Sequence, residues 1–331
     1  MKKISLIILG FIIFMLTSCK TNTLSLKAVC NYYEGLKSYE CSAKMNMYRA
    51  DDVICFNVNS SYLSPDYYMV NFSSSNNNEQ IIVKNTNGVY VLSPVLNKQF
   101  QFDSDWPLNS SHAYLISAIV KDIVNDSDTK FNVDNDVITI ESKISHKVNQ
   151  NLTYMKFSCK GSDFTPISCN FYNASDKKIV EVTFISFSPN KELKAEYFDQ
   201  EKIMTEKTSS LGEGNIEEIM GSINVAYLTD EKNKNTVVKY GDKEIVTYSG
   251  EKNYVVVAEN IKSDSLSVSL RMYDDLSISS LGIINVSKNG ISYIYKNKFI
   301  SIYSNTLSTL ELIELGHSIS FVWGTKWCLF A

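Results

Sequence analysis

The residues of this 331-residue chain that are best suited to chemistry are its seven cysteines and three histidines. Thiolates and imidazoles hold a metal or attack a substrate when they recur at short spacing, as in Cys-x-x-Cys or His-x-x-x-His. Neither spacing occurs, and His112, His146 and His317 lie far apart in the sequence. We therefore predict that the histidines are structural or solvent-exposed, and that the chain uses neither a metal nor a cofactor.

Carboxylates offer a second kind of chemistry, calcium binding or acid–base catalysis. Four aspartates have spacing that resembles a calcium loop: Asp126, Asp128, Asp134 and Asp136. An EF-hand loop also needs a central glycine and a terminal glutamate, so we interpret the four as solvated turn residues. The sequence has no nucleophile elbow, phosphate-binding glycine loop or zinc-protease motif. Spacing singles out no pair of carboxylates typical of a glycoside hydrolase either. We therefore predict that the protein is not an enzyme. A hydrolase with an unrecognised carboxylate pair is the lowest-ranked alternative.

The N-terminus indicates acylation of a thiol. Lys2 and Lys3 precede an apolar run over residues 4–16, which is too short to span a bilayer and suits a signal peptide. The run ends in Leu-Thr-Ser-Cys, which resembles a bacterial lipobox. We expect cleavage before Cys19 and attachment of two acyl chains to it, enough for stable membrane anchoring. The alternative is an ordinary secretory leader with an incidental cysteine.

The remaining cysteines raise the question of disulfides, which export permits. Cys159 and Cys169 follow apolar residues at period two on successive predicted strands, so both thiols lie on the same face. We therefore expect a cross-strand disulfide between Cys159 and Cys169. The alternative is that buried thiols stay reduced in an anaerobic host.

Composition narrows the class of protein. The chain is 44% hydrophobic and 21% charged, as in an ordinary globular protein. Its formal net charge is −4, and only Arg49 and Arg271 are arginines. A nucleic-acid binder gains most of its affinity by neutralising phosphates, so we predict no nucleic-acid partner.

Hydrophobic periodicity predicts the organisation of the exported part. From residue 39 to 47, apolar and polar residues alternate as in a half-buried strand, and many short strands with tight turns follow. Residues 109–125 predict one amphipathic helix within this antiparallel meander. We predict a signal peptide at 1–18, a tether at 19–25, a first domain at 26–205, a linker at 206–214, a smaller α+β domain at 215–320 and an atypical tail at 321–331.

Residues 32–44, which contain the step Leu36-Lys37-Ser38-Tyr39, resemble the opening of the Lol-type lipoprotein carrier family, which includes RseB-type regulators. Further segments match this family in order: residues 62–68, 88–94, 96–100, 164–167 and 187–198. A lipobox directly ahead of such a domain is similar to the GerS-type germination and YdcC-type sporulation lipoproteins of Gram-positive spore formers. The resemblance implies an α+β, mainly antiparallel fold: an open half β-barrel plugged by helices, LolA-like, followed by a smaller α+β domain.

The same resemblance implies an apolar inner surface for the half-barrel. Flexible methionines there would suit acyl chains or an apolar side chain of a partner. The alternative is that these residues merely fill a core. The residues expected to line the cavity are Ala43, Met45, Met47, Ile54, Phe56, Leu115, Ile119 and Ile123.

The function implied is a non-enzymatic, membrane-anchored binding lipoprotein of sporulation or spore germination. Its expected partners are the membrane, through the Cys19 lipid, and a cell-wall amidase that acts on the spore cortex. The expected location is the extracytoplasmic face of the cell membrane, with the forespore outer membrane as one option. The alternative is a carrier or sensor that binds acyl chains or lipoproteins in the apolar cavity.

Overall fold

Strands dominate the computed structural model of the chain, which describes residues 24–49, 52–74, 77–211, 222–226, 234–261, 270–272 and 275–322. The expected signal peptide, Cys19 and residues 323–331 lie outside these ranges. The described residues form four α-helices: α1 (Leu26–Glu34), α2 (Ile116–Asn125), α3 (Gln200–Leu211) and α4 (Thr309–His317).

The first eleven strands follow α1 and surround α2 in sequence. They are β1 (Ser38–Tyr48), β2 (Val53–Leu63), β3 (Tyr67–Ser74), β4 (Asn77–Asn85), β5 (Gly88–Ser93), β6 (Lys98–Phe102), β7 (Lys130–Asp134), β8 (Val137–Lys143), β9 (Leu152–Lys160), β10 (Pro166–Asn173) and β11 (Lys178–Pro189). Ten more strands follow α3. They are β12 (Ser222–Val225), β13 (Lys234–Tyr240), β14 (Lys243–Ser249), β15 (Tyr254–Asn260), β16 (Leu270–Met272), β17 (Asp275–Ser279), β18 (Gly282–Ser287), β19 (Gly290–Tyr295), β20 (Lys298–Tyr303) and β21 (Ile319–Val322).

The first sheet joins two antiparallel meanders. Its order is β16-β6-β5-β4-β3-β2-β1-β11-β10-β9-β8-β7, so β1 and β11 pair in the middle and the two ends stay apart. The sheet is therefore open and mainly antiparallel, which confirms the predicted fold class. The exception is β16, which runs parallel to β6.

The inner face of this sheet carries the alternating apolar residues of β1 and β2. Ala43 pairs with Val58 and Met45 with Phe56, and all four side chains are buried. Side chains directly opposite in an antiparallel pair share one face, so this register builds a continuous apolar surface. Helix α2 covers it with Ile116, Ala118, Ile119, Val120 and Ile123.

Helix α2 begins later than the predicted range of 109–125. Its N-cap is Leu115, and Ser110 and Ser111, which lie in the predicted range, form other hydrogen bonds. The Ser111 Oγ accepts a hydrogen bond from the backbone N–H of Ser145 at 3.0 Å, and the Ser110 Oγ accepts one from Lys147 at 3.2 Å. These hydrogen bonds therefore join the segment between β6 and α2, which we call the crossover segment, to the segment after β8.

The second sheet packs against the first instead of standing alone. Its order is β13-β14-β15-β20-β19-β18-β17. Leu276, Ile278, Ile283 and Ile294, from β17 to β19, are buried in the same core as the inner face of the first sheet. Residues 275–287, a hairpin that periodicity did not predict, thus close one end of the half-barrel.

Two predicted boundaries need correction. Residues 206–211, placed in a linker, belong to α3, whose Ile203 and Met204 pack on the outer face of the first sheet. Phe321, placed in an atypical tail, lies in β21, where it pairs with Ile223 of β12. Local periodicity could not reveal either boundary, because α3 and β21 are held by apolar contacts with other elements.

Helix α4 begins with a capping box formed by Ser308 and Glu311. The Ser308 Oγ accepts a hydrogen bond from the backbone N–H of Glu311, and the Glu311 carboxylate accepts one from the N–H of Ser308. Replacing Ser308 by alanine is expected to lower the free energy of unfolding by about 1 kcal/mol. Urea unfolding would measure this loss. Threonine at position 308 is the control, because it keeps the hydroxyl; an equal loss in both variants would contradict the capping role.

Candidate functional site

The residues expected to line a cavity come together, but most of them fill a core. Ala43, Met45, Phe56, Leu115, Ile119 and Ile123 are each at most 4% exposed. Met47 and Ile54 are partly buried and pack against the same cluster. The residues of this set in β1 and β2 lie on one face of the sheet. The side chains of α2 and of the second sheet occupy the space in front of them.

A chain of aromatic side chains, which was not predicted from the sequence, crosses the inner face. Tyr33 packs edge-on against Phe157, and Tyr39 contacts Tyr62 with ring centroids 5.4 Å apart. The chain continues through Tyr62, Tyr68, Trp106, His112 and Tyr114 to Phe72. The signal available in the sequence was its 12% aromatic content, with 20 tyrosines, at positions that alternate inward.

An open cleft lies where this aromatic chain reaches the surface between α1, α2 and the β2–β3 turn. We call it the mouth cleft. Its volume is about 470 Å³, and its lining residues include Glu34, Tyr62, Pro65, Tyr68, Ser117, Lys121 and Val124. Burial raises the pKa of Tyr68 to about 12, so its hydroxyl stays protonated at neutral pH. The cleft combines apolar walls with one acidic and one basic side chain.

A second cleft, the inter-sheet cleft, separates the inner face of the first sheet from α4. It has a volume of about 410 Å³, and Arg49, Ile54, Phe56, Ser280 and His317 are among its lining residues. The Arg49 Nη2 donates to the Glu314 Oε2 at 2.5 Å. A second ion pair, Lys147 with Asp275 at 3.0 Å, also joins the two sheets.

His317 and Ser280 are the nearest arrangement to a nucleophile and its base. The Ser280 Oγ and the His317 Nε2 are 2.7 Å apart, and burial with the nearby Arg49 charge lowers the pKa of His317 to about 4. A serine hydrolase also needs a group that orients the other ring nitrogen. Among the described residues, His317 has no second side-chain hydrogen bond through its ring, so the pair lacks this third member.

The two other histidines are also held neutral by the fold. His112 is 3% exposed, and burial lowers its pKa to about 3, with further lowering by the nearby His146 and Lys121. Burial lowers the pKa of His146 to about 4. The His112 Nδ1 lies 3.3 Å from the Tyr114 hydroxyl, whereas its Nε2 is buried without a partner. A proton added to His112 would therefore enter an apolar site.

Acid is expected to destabilise the protein through these histidines. The pKa of His112 in the folded state lies below its unfolded value of 6.5. The stability that the fold gains from a neutral His112 is therefore complete above pH 6.5 and is lost as the pH falls towards 3. At pH 5 the loss from His112 alone is about 2 kcal/mol relative to pH 7.5. Urea unfolding at both pH values would measure it in the original chain and in the variant His112→Gln.

The variant is expected to lose about 2 kcal/mol less than the original chain between the two pH values. Burial raises the pKa of Asp122 to about 6, so this carboxyl group stabilises the folded state as the pH falls. Asp122 is present in both proteins, so its effect cancels in the comparison. An equal loss in both proteins would contradict the assignment to His112.

The predicted disulfide between Cys159 and Cys169 is not formed, and both are free thiols. The register places Phe157 opposite Cys169, while Cys159 lies opposite Pro166. Both residues are on the same face, as predicted, but the strands are offset from the pairing that a disulfide needs. Burial raises the pKa of Cys159 to about 12, so its thiol is protonated and unreactive.

The aspartate series does not form a metal site. The Asp126 Oδ2 accepts hydrogen bonds from the Lys143 backbone N–H at 2.7 Å and the Ser142 Oγ at 3.1 Å. Asp134 ends strand β7 instead of lying in a turn. Throughout the described ranges, no three His, Cys, Asp or Glu side chains are grouped so that they could hold a metal ion. In those ranges, too, no helix is long and apolar enough to cross a membrane.

Comparison with known sequences identifies relatives of this chain. The family model described as "Sporulation protein YdcC-like" matches residues 1–198. The sporulation protein YdcC of Bacillus subtilis (strain 168) is 32% identical over 243 residues, which cover 71% of each chain.

Comparison with solved structures gives matches of low identity and low TM-score. An uncharacterized conserved protein from Thermus thermophilus is 10% identical with a TM-score of 0.38, covering 53% of this chain and 93% of that chain. MucB in the Pseudomonas aeruginosa MucA/MucB complex is 8% identical with a TM-score of 0.32, covering 89% and 97%. The structure of the CwlD amidase from Clostridioides difficile in complex with the GerS lipoprotein gives 10% identity and a TM-score of 0.21, covering 53% and 98%.

Proposed function

The chain belongs to the family of YdcC-like sporulation proteins, and from this premise we propose that it is an exported binding protein anchored outside a membrane. It acts in sporulation or spore germination by holding a protein partner, without chemistry of its own. The anchor is the lipid on Cys19, and the location is the extracytoplasmic face of the cell membrane.

The short distance between the lipobox and the fold supports the anchor. Helix α1 begins at Leu26, where the Ser25 Oγ accepts a hydrogen bond from the backbone N–H of Ala28 at 3.2 Å. The seven residues 19–25 therefore connect the lipid proposed on Cys19 to the first helix. Fully extended, they span at most about 25 Å, so the first sheet stays close to the bilayer surface.

The observation that carries the proposal of a protein partner is the filled inner face. A carrier of acyl chains needs an apolar cavity, and the methionine and aromatic side chains expected to line one are packed against α2 and the second sheet. An acyl chain could enter only if these elements moved apart. The mouth cleft is already open, and its apolar walls and two charges suit a side chain of a folded partner.

By resemblance to the GerS-type lipoproteins, the partner is a cell-wall amidase that modifies the spore cortex. Val124 lies on the wall of the mouth cleft and is 55% exposed, so a charge there would disturb the surface without disturbing the core. Ile185, which is 62% exposed on β11 and is not among the lining residues of this cleft, provides a matched position elsewhere.

A pull-down from sporulating cells tests both the partner and the surface. The original chain should recover a cell-wall amidase, Val124→Lys should recover at most about a tenth as much, and Ile185→Lys should behave as the original. Recovery of no cell-wall enzyme would overturn the amidase partner. Equal recovery by the two lysine variants would overturn the mouth cleft as its binding surface.

A carrier or sensor of lipids or lipoproteins is the second candidate. The aromatic chain favours it, because the mouth cleft leads from the surface to the buried Tyr68 and Trp106. Under this hypothesis, α2 moves away from the inner face when an acyl chain binds. A ligand that stays bound through purification would support it.

A further inference from the structure

The first sheet ends in β16, which pairs in parallel with β6, and in β7. Among the described strands, β7 pairs only with β8, so its other edge is open. An unpaired edge strand offers its N–H and C=O groups to another strand, and proteins commonly block such edges with proline or a bulge. β7 contains no proline and pairs with β8 without a shift in register.

The backbone groups that β7 leaves free can be assigned from its turn. The β7–β8 hairpin is closed by the two residues Asn135 and Asp136, so Asp134 and Val137 are directly paired. Hydrogen-bonded and non-hydrogen-bonded residue pairs then alternate along the hairpin. The N–H and C=O groups of Asn132 and Lys130 therefore point towards β8. Those of Phe131 and Val133 point away from the sheet.

The sequence of β7, Lys-Phe-Asn-Val-Asp, is complementary to itself when reversed. We propose that β7 pairs antiparallel with β7 of a second copy of this chain, with Asn132 on the two-fold axis. Lys130 of each copy then lies opposite Asp134 of the other, and Phe131 lies opposite Val133. The backbone groups of Phe131 and Val133 form four hydrogen bonds across the new interface.

The side-chain faces agree with this pairing, because residues directly opposite must share a face. Phe131 packs against the core on the inner face, and Val133 is on the same side but 38% exposed. In the dimer, Phe131 of the second copy covers Val133. Lys130 lies on the outer face beside Glu141, at 2.5 Å, and gains a second acidic neighbour in Asp134 of the second copy.

An exposed edge strand of the second sheet, β13, lacks this symmetry. β13 ends the second sheet and has the exposed apolar residues Val237 and Val238, but its two charged residues are both lysines. Pairing β13 with itself therefore brings no opposite charges together. Self-complementary charges are therefore found in β7 and not in β13. Two paired five-residue strands bury less surface than the roughly 1,200 Å² of stable complexes. We therefore expect the dimer to be reversible.

Cross-linking of the full chain tests the pairing at its centre. In the dimer, the two Asn132 residues form a non-hydrogen-bonded pair, whose side chains are close enough for a disulfide. Under mild oxidation, Asn132→Cys should give at least about ten-fold more disulfide-linked dimer than Ser175→Cys, which places a thiol in the exposed β10–β11 turn. The original chain controls for the exposed thiol of Cys55.

Charge exchange then tests the register. In the Asn132→Cys chain, Lys130→Glu or Asp134→Lys alone places like charges opposite each other and should lower the dimer yield several-fold. The two substitutions together restore opposite charges and should restore the yield. No excess of dimer over the Ser175→Cys control, or no recovery in the doubly exchanged chain, would overturn the proposal. The result does not depend on which partner binds the mouth cleft.

Discussion

Labelled palmitate is expected to enter the original protein and to be absent from the variant Cys19→Ala. The thioether-linked lipid of a lipobox forms only on a cysteine thiol, so the substitution removes the acceptor rather than weakening it. Two acyl chains bury enough CH₂ groups for stable anchoring, at about 0.8 kcal/mol for each. Metabolic labelling in growing or sporulating cells, followed by purification of the protein, measures the effect directly.

The control for this prediction is Cys55→Ala, which removes an exposed thiol from β2 without touching the lipobox. It should keep full labelling. Label in the Cys19→Ala protein, or an unlabelled original protein, would show that residues 1–18 act as an ordinary secretory leader and would remove the anchor from the proposed function.

Replacing Trp106 by alanine is expected to lower the free energy of unfolding by about 3–5 kcal/mol. Trp106 is 0% exposed and is the largest fully buried side chain among the described residues. Its ring packs edge-on against Tyr68 at 6.2 Å and lies 6.4 Å from His112. The residue therefore holds the crossover segment before α2 against the inner face.

Urea unfolding of Trp106→Ala and Trp106→Phe would measure this contribution. Phenylalanine keeps one aromatic ring in the same site. Trp106→Phe is therefore expected to lower the free energy of unfolding by less than half as much as Trp106→Ala. A loss of less than about 1 kcal/mol in Trp106→Ala would contradict the packing of the aromatic chain, because removal of a buried tryptophan cannot otherwise be so mild.

Most strands of the first sheet could be predicted from the sequence because they are buried on one face. Alternation from residue 39 to 47 identifies Ala43 and Met45 as inner residues, and they pair with Val58 and Phe56. The antiparallel character of the sheet was predicted from many strands joined by tight turns, and its open character from the family resemblance. The family resemblance stated from six segments agrees with the family model that matches residues 1–198.

The elements that periodicity missed depend on partners distant in sequence. β7 has only Phe131 and Val133 as apolar residues within an aspartate-rich segment, too few for a clear period. β17 has buried serines between its apolar residues, because the residues on both of its faces are buried. Helix α3 has few apolar residues, and Ile203 and Met204 acquire a role only where the outer face of the first sheet is present.

The candidate site was the least predictable part for a physical reason. An apolar cavity and an apolar core require the same inward alternation, so residues such as Met45 and Phe56 fit both. The outcome depends on what covers them, and the second sheet supplies Leu276 and Ile278 from more than 200 residues further along the chain. The mouth cleft likewise brings together residues of α1, α2 and the β2–β3 turn.

Native mass spectrometry of the protein purified from sporulating cells tests the central claim most directly. A binding protein whose inner face is filled by its own side chains should appear free of lipid ligand, or with a protein partner bound. The mass of the covalent lipid on Cys19 should be the only acyl mass present. One additional acylated molecule for each chain, with no protein partner, would contradict this account and establish a carrier.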